Sequence, residues 1–213
     1  MNLAKYRYIV VEGPIGVGKT SLARRIATET GAQSLLEQPQ ENPFLERFYR
    51  DSTRYALPTQ MFFLFQRLNQ LRDLAQTDMF SAPVVSDFLL DKDPIFASLT
   101  LADDELNLYR QMFDHLTQEA PRPDLVIYLQ AAPATLAERI RRRGVASEAG
   151  LSESYLQRLC EGYSRFFHHY DASPVLMVNA EHLNPIERSE DFDLLMQRIA
   201  GMRGKREFFN RGE

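Results

Sequence analysis

The sequence predicts an α/β fold in which a parallel sheet of five strands is flanked by helices. Short apolar runs recur along the chain with helical patterns between them, and a glycine-rich loop joins the first run to the first helical pattern. Strands that alternate with helices are typical of a wound parallel sheet. The predicted strands are Tyr8–Val11, Ser34–Leu36, Val84–Val85, Leu125–Leu129 and Val175–Val178.

The helical patterns carry recognisable start signals. The longest runs from about Pro58 to Asp78 with apolar residues three and four apart, which indicates a stripe that faces the core. A shorter amphipathic pattern covers Phe44–Tyr49. Pro133 suits the first turn of a helix, and Ser152 suits an N-cap position. Both start signals follow segments that we expect to be functional loops.

Size and composition limit the classes of protein to consider. The chain has 213 residues, of which 44% are hydrophobic, so we expect one domain over residues 1–201 and a partly disordered tail over residues 202–213. A net charge of -4 argues against nucleic acid as a partner. No apolar segment has the length of a membrane span, and the N-terminus lacks the long apolar stretch of a signal peptide. Cys160 has no second cysteine to pair with. We therefore expect a cytoplasmic protein without a membrane partner.

The loop after the first strand has the spacing of a phosphate-binding loop. It places Gly13, Gly16 and Gly18 before Lys19 and Thr20, between a strand and a helix. Glycines let backbone N–H groups turn toward a polyphosphate, and the lysine reaches its outer phosphates. The threonine hydroxyl is a ligand for Mg²⁺. The loop predicts ATP and Mg²⁺ as cofactors, although on its own it fits a GTPase, an ATP-driven motor or a small-molecule kinase.

A carboxylate follows the second predicted strand. Glu37 comes directly after Leu36, and ligands of open α/β sheets gather at the carboxyl ends of strands. We therefore place Glu37 opposite the γ-phosphate. Its position alone also fits an ordinary exposed acid at the end of a strand.

The long helix carries a polar pair on one face. Gln60 and Arg67 are seven residues apart, which separates them by about 20° around the helix axis. A buried amide offers a donor and an acceptor to the edge of a base. Taken alone, the pair fits the solvent-facing side of an amphipathic helix better, and base recognition gains support only beside the other features.

An arginine cluster precedes a glycine in the second half of the chain. Arg139, Arg142 and Arg143 lie in the last turns of a predicted helix, just before Gly144. We interpret residues 139 to about 151 as a lid that brings cations over the transferred phosphoryl group. The alternative is a basic helix face in contact with water.

Several segments together resemble the deoxynucleoside kinases, most closely their bacterial deoxyadenosine/deoxyguanosine kinase branch. The segments are Glu12–Thr20, Leu36–Leu45, the Gln60 and Arg67 pair, Asp93–Ala97 and Glu138–Glu148. The resemblance covers nearly the whole chain. It implies a P-loop kinase that transfers the γ-phosphoryl group of ATP to the 5′-hydroxyl of a deoxynucleoside, preferably a purine, in nucleotide salvage. It also implies a homodimer.

The resemblance assigns roles to individual residues. It implies that Glu37 is the base at the 5′-hydroxyl, that Gln60 pairs with the nucleobase and that Phe96 stacks on it. Tyr49 and Glu148 are implied as partners of the sugar 3′-hydroxyl and its surroundings. Arg67 joins Gln60 in the substrate site, Asp87 supplies the acid near Mg²⁺ or the hydroxyl, and Arg139 and Arg143 are the catalytic lid arginines with Lys19.

Two positions depart from the family pattern. Asp87 is followed by Phe88 where the family often has an arginine, and Val145 stands where the lid often has a further arginine. Arg142 is the candidate substitute for the latter, as a ligand of ATP.

Two rival functions remain open. A nucleoside-monophosphate kinase of the thymidylate kinase type shares the loop and the lid, but the carboxylates of Glu37 and Glu41 would repel an acceptor phosphate. A non-catalytic nucleotide-binding protein fits the missing arginine after Asp87. The presence of Lys19 together with Glu37 favours a kinase that acts on a neutral nucleoside.

Overall fold

The computed structural model describes residues 3, 5–76, 82–145, 148 and 150–211. The predicted domain, long helix, lid and tail extend in part over residues 1, 2, 4, 77–81, 146, 147, 149, 212 and 213, and these parts lie outside the described residues. Nothing in the described chain is a helix both long and apolar enough to cross a bilayer.

The described residues contain a parallel sheet of six strands in the order β2-β3-β1-β4-β5-β6. All five predicted strands are present, but the predicted number of strands is wrong because the tail adds a sixth. The strands are β1 (Tyr8–Glu12), β2 (Gln33–Leu35), β3 (Val84–Ser86), β4 (Leu125–Gln130), β5 (Val175–Asn179) and β6 (Arg206–Phe209).

The sixth strand lies in the tail that we expected to be partly disordered. It pairs in parallel with β5, from Arg206 beside Val175 to Phe209 beside Val178. Only alternate residues of this edge strand turn inward, so it lacks the continuous apolar run that marks the central strands. Beyond it, Arg211 forms an ion pair with the buried Asp191.

Helices cover both faces of the sheet. Side chains of β1 alternate between two cores: Ile9 and Val11 face one, while Tyr8 and Val10 face the other. Helices α1, α6 and α8 pack on the first face, and α3, α4, α5 and α7 pack on the second. The helices of the described residues are α1 (Lys19–Thr30), α2 (Leu45–Arg50), α3 (Ser52–Gln76), α4 (Asp93–Thr100), α5 (Asp103–Leu116), α6 (Pro133–Arg143), α7 (Glu153–His169) and α8 (Ser189–Gly201).

The long helix begins earlier than predicted. The backbone N–H of Tyr55 donates to the carbonyl of Asp51 at 3.2 Å, so α3 starts at Ser52 and Pro58 lies inside it. The predicted start at about Pro58 is therefore wrong. The start signals at Pro133 and Ser152 are confirmed: Pro133 opens α6, and the Ser152 hydroxyl accepts from the N–H of Tyr155.

Parallel strands bring their carboxyl ends to one edge of the sheet. At this edge β1 leads into the glycine-rich loop, β2 leads toward Glu37 and β3 leads into Asp87. These segments follow neighbouring strands, since β1 pairs with β3 and β3 pairs with β2. The fold therefore gathers the phosphate loop and two carboxylates at a single place.

Replacing Arg211 tests whether the tail is an integral part of the fold. In Arg211→Ala the buried Asp191 loses its cation and keeps the hydrogen bond from the N–H of Asn184. We expect the free energy of unfolding, measured in urea, to fall by about 1 to 3 kcal/mol. The matched control is Arg203→Ala, at an exposed arginine of the same tail. Equal unfolding midpoints for the two variants would contradict a structural role of the tail.

Candidate active site

The glycine-rich loop is held in a conformation that requires glycine. Gly16 and Gly18 have φ angles of 84° and 102°, in the left-handed region. A Cβ atom at Gly18 would lie 2.7 Å from the side chain of Ile186, and one at Gly16 would lie 2.8 Å from that of Ile140. The loop then enters α1 at Lys19, so its N–H groups and the helix N-terminus form a site for a polyphosphate.

Two cavities meet at this loop. The larger, of about 320 Å³, is lined by the predicted nucleotide ligands Gly16, Gly18, Lys19, Thr20, Arg139, Arg142 and Arg143. The smaller, of about 160 Å³, is lined by the predicted substrate residues Glu37, Tyr49, Gln60, Arg67, Asp87, Phe96 and Glu148. Lys19, Thr20 and Arg143 line both cavities. Gly13 lies at the start of the loop, outside the lining of either cavity.

Glu37 is fixed by an arginine that reaches across from α3. Arg67 donates from Nε to Glu37 Oε1 at 2.8 Å and from Nη2 to the same oxygen, while its Nη1 donates to Asp93. The guanidinium also lies over the ring of Phe63, 5.1 Å from its centroid. Arg67 is buried, so the solvent-facing alternative is wrong for this residue. Three of its N–H donors bind carboxylates of the protein, and its side chain also lines the smaller cavity. Its role in substrate binding stays a prediction.

The surrounding cations keep Glu37 ionised. Burial by itself raises the pKa of Glu37, but the positive charges of Arg67, Lys92 and Lys19 outweigh burial and lower this pKa to about 2. The carboxylate therefore stays negative at neutral pH. It is a hydrogen-bond acceptor for a hydroxyl group in the smaller cavity.

Two buried charged residues of the site were missed by the sequence analysis. Glu12 is fully buried and accepts from the N–H of Gly13 at 2.8 Å, the N–H of Leu89 at 2.7 Å and the hydroxyl of Tyr163 at 2.9 Å. Lys92, also buried, lies with Nζ 3.2 Å from Glu12 Oε2. The only sequence signals were the place of Glu12 directly before the loop and of Lys92 directly before the Asp93–Ala97 segment.

Gln60 points into the smaller cavity from α3. It is 6% exposed, and its Nε2 has a distant contact of 3.5 Å with Thr100 Oγ1. The hydroxyl of the neighbouring Thr59 is buried and has no hydrogen-bond partner among the described residues. The solvent-facing alternative is wrong for Gln60 too. The amide and the hydroxyl are available to a polar ligand in the cavity.

Another polar cluster lines the smaller cavity. Arg143 forms an ion pair with Glu148, and its side chain is 48% exposed while that of Glu148 is 15% exposed. Tyr49 lines the same cavity, and burial together with the charge of Glu148 raises the pKa of its phenol. The phenol therefore remains a neutral hydrogen-bonding group.

The residues proposed to hold Mg²⁺ are neighbours in space. Asp87 Oδ2 accepts from Thr20 Oγ1 at 2.5 Å, and Asp87 Oδ1 accepts from the N–H of Glu37 at 2.7 Å. The described residues contain no group of three or more ionisable metal ligands. One carboxylate and one hydroxyl beside a phosphate loop nevertheless fit Mg²⁺, which takes much of its coordination from substrate phosphates and water.

Comparisons with known proteins agree on one family. The deoxynucleoside kinase family model matches residues 9–202. The chain is 32% identical to deoxyguanosine kinase of Bacillus subtilis over 93% of this chain and 98% of that protein, and 31% identical to deoxyadenosine kinase of Lactobacillus acidophilus over 83% and 86%. The chain belongs to the deoxynucleoside kinase family.

A solved structure supports the same assignment. Deoxyadenosine kinase from M. mycoides with bound dATP superimposes with a TM-score of 0.80 at 26% identity, over 92% of this chain and all of that one. The predicted fold class, with its correction to six strands, and the predicted enzyme class are therefore confirmed. This deoxynucleoside kinase phosphorylates deoxynucleosides with ATP in salvage, and both rival functions lose their support.

The arginines of this deoxynucleoside kinase differ in how they are held. Arg139 is anchored to segments outside α6, because its guanidinium donates to the carbonyls of Ala180 at 2.8 Å and Val17 at 3.4 Å. Arg142 lines the larger cavity, and Arg143 reaches both cavities from the last residue of the helix. Gly144 then ends α6 with a φ angle of 69°. Movement of residues 139–151 as a lid stays a prediction.

Replacing Arg67 tests the ion-pair bridge. Arg67→Met leaves the partly buried Glu37 and the fully buried Asp93 without their shared cation, and we expect the free energy of unfolding to fall by about 3 to 5 kcal/mol. Urea denaturation followed by circular dichroism measures this. Arg72→Met, at an exposed arginine of the same helix, is the matched control and should change stability by less than about 0.5 kcal/mol. Equal free energies of unfolding for the two variants would show that the bridge does not stabilise the fold.

Proposed function

We propose that this enzyme transfers the γ-phosphoryl group of ATP to the 5′-hydroxyl of a purine deoxynucleoside. ATP occupies the larger cavity and the nucleoside occupies the smaller one. The observation that carries the proposal is the meeting of the two cavities at Lys19, Thr20 and Arg143, with Glu37 on the smaller side only. This arrangement puts a phosphate donor and a hydroxyl acceptor on opposite sides of the same cations.

The charges of the two cavities support this assignment. The larger cavity combines the loop N–H groups and Lys19 with Arg139 and Arg142, which suits a polyphosphate. In the smaller cavity Arg67 is bound to carboxylates and Arg143 is bound to Glu148. Lys92 also lines this cavity, where its charge is balanced by Glu12 and Glu37. An acceptor that carried its own phosphate would meet these carboxylates. A neutral nucleoside is therefore the better occupant.

In the proposed mechanism Glu37 orients the 5′-hydroxyl more than it activates it. A carboxylate with a pKa of about 2 is a weak base, so it accepts a hydrogen bond from the hydroxyl and takes the proton late. Late proton transfer suits phosphoryl transfer, whose transition state is loose and depends mainly on alignment and charge. Lys19 and Arg143 lie where they neutralise charge on the transferred group.

Thr20 and Asp87 would hold Mg²⁺ in this mechanism. When bound, the ion neutralises negative charge on the phosphates of ATP. Asp87 also accepts a hydrogen bond from the backbone N–H of Glu37, so one side chain links the proposed metal position to the residue that carries the acceptor carboxylate. Burial raises the pKa of Asp87, and its hydrogen bonds to Thr20 and to the backbone of Glu37 oppose this rise without cancelling it.

The nucleoside is placed by the groups around the smaller cavity. Gln60 offers a donor and an acceptor to the base edge, and Phe96 offers a face for stacking. Tyr49 and Glu148 are proposed to bind the 3′-hydroxyl. The preference for purines is supported by relatives named as deoxyguanosine and deoxyadenosine kinases. A homodimer and a cytoplasmic location stay predictions.

A substrate screen tests the proposed function. ATP and Mg²⁺ are supplied with each of the four deoxynucleosides and with their 5′-monophosphates, and ADP release is measured. We expect turnover of deoxyadenosine or deoxyguanosine to exceed that of the pyrimidines, with none of the monophosphates. Faster turnover of a monophosphate than of any nucleoside would contradict the placement of a neutral acceptor.

Gln60→Ala, measured in this screen, tests base recognition. Loss of the amide leaves a polar base edge unpaired in a buried pocket, which should cost about 1 to 3 kcal/mol in kcat/KM for the preferred nucleoside. The KM for ATP should hardly change. Gln157→Ala, at an exposed glutamine of α7, is the matched control. If Gln60→Ala and Gln157→Ala have the same substrate profile, Gln60 does not contact the base.

A further inference from the structure

One buried cation of the smaller cavity has no part in the mechanism above. The position after Asp87, where an arginine was expected, holds Phe88, whose ring is fully buried in the core. Lys92 follows four residues later, at the end of a 3₁₀ turn (Leu90–Lys92) that leads into α4. Its side chain returns to the smaller cavity and lines it beside Glu37 and Asp87.

We propose that Lys92 is a catalytic residue of this kinase, which holds Glu37 in place and donates a hydrogen bond to the acceptor oxygen during phosphoryl transfer. The inference rests on the proposed function, because it places the 5′-hydroxyl beside Glu37. Lys92 Nζ lies 3.8 Å from Glu37 Oε1 and 3.2 Å from Glu12 Oε2. It therefore stands between a carboxylate of the core and the carboxylate of the acceptor site.

The hydrogen-bonding capacity of Lys92 is not used up by the protein. An ammonium group has three N–H donors. Within the described chain, Glu12 is the group that lies within 3.5 Å of Nζ, and Glu37 lies beyond that distance. Buried donors are rarely left without acceptors. The remaining donors are thus available to a substrate oxygen that enters between Lys92 and Glu37.

Neutralising Glu12 does not account for Lys92 by itself. Glu12 already accepts hydrogen bonds from two backbone N–H groups and from the hydroxyl of Tyr163. The ammonium also lies 5.8 Å from the ring centroid of Phe96, which lines the same cavity. A lysine required only by the core has no need to reach the acceptor site.

Lys92 remains charged in this setting. Burial lowers the pKa of its ammonium, but the carboxylates of Glu12 and Glu37 outweigh burial and raise it. Lys19 lines the same cavity as Lys92, and burial and then the charge of Lys92 lower the pKa of Lys19. One cation faces the acceptor side and the other faces the phosphates.

The 5′-oxygen forms a bond to the γ-phosphorus while the bond from that phosphorus to the bridging oxygen of ATP breaks, which releases ADP. The hydroxyl proton passes to Glu37. Lys92 stays protonated throughout and donates to the 5′-oxygen or to an oxygen of the transferred group.

The test must separate an effect on catalysis from an effect on folding, because Lys92→Met leaves the buried carboxylate of Glu12 without its cation. The pair to compare is Glu12→Gln and the double variant Glu12→Gln/Lys92→Met, in which no carboxylate at position 12 is left unpaired. Circular dichroism and ADP binding establish that both are folded. We expect kcat of the double variant to be about 100-fold or more below that of Glu12→Gln, with the KM for ATP changed by less than about threefold.

Two further variants complete the experiment. Lys92→Arg, in which Glu12 is retained, should recover kcat to within about tenfold of the parent because it keeps a cation at this place. Lys205→Met, at an exposed lysine before β6, controls for the loss of a lysine and should match the parent.

The outcomes distinguish this inference from the proposed function. Equal kcat values for Glu12→Gln and the double variant, or a change confined to KM, would overturn the role of Lys92. If the double variant does not fold, the kcat of Lys92→Arg is the deciding measurement. A kcat more than about 100-fold below that of the parent would overturn the proposal that a cation at this place supports catalysis. If the parent enzyme itself transfers no phosphoryl group to any deoxynucleoside, the proposed function is wrong, and that result is seen before any variant is made.

Discussion

The bridge from Arg67 to Glu37 and Asp93 is the interaction on which the acceptor site depends. It joins three segments that are distant in sequence: the end of β2, the middle of α3 and the start of α4. Each carboxylate would be costly to bury without this shared cation. The same contact that secures α3 over the edge of the sheet therefore aims Glu37 at the cavity, so stability and function share one residue.

This solution has a chemical consequence. The cations that stabilise the partly buried carboxylate of Glu37 also lower its pKa. Glu37 therefore stays ionised as a hydrogen-bond acceptor and is a weaker base. A reaction that required early removal of the proton would be slowed by so weak a base. Phosphoryl transfer through a loose transition state does not, because alignment and charge compensation provide most of the acceleration. The electrostatics of the site thus fit the reaction of the family.

Features that depend on local pattern could be predicted from the sequence. The loop at Gly13–Thr20 and the strands around it have fixed spacings, and they appear as expected. Buried charges could not be predicted, since nothing near Lys92 or Glu12 shows that each folds inward against the other. Arg67 was placed on the right face by helical periodicity, but its partners come from other segments. The edge strand β6 was not predicted, because only alternate residues of it are even partly buried.

The central claim is that Glu37 is held as an ionised acceptor by its buried cations. The most direct measurement is an acid titration of the folded enzyme with ¹³C-labelled glutamate side chains, with the signal of Glu37 assigned by its absence in Glu37→Gln. The account predicts that this carboxyl titrates near pH 2, far below the other glutamates, or not at all before the protein unfolds. A titration midpoint at or above the ordinary value of about 4.3 would contradict the account.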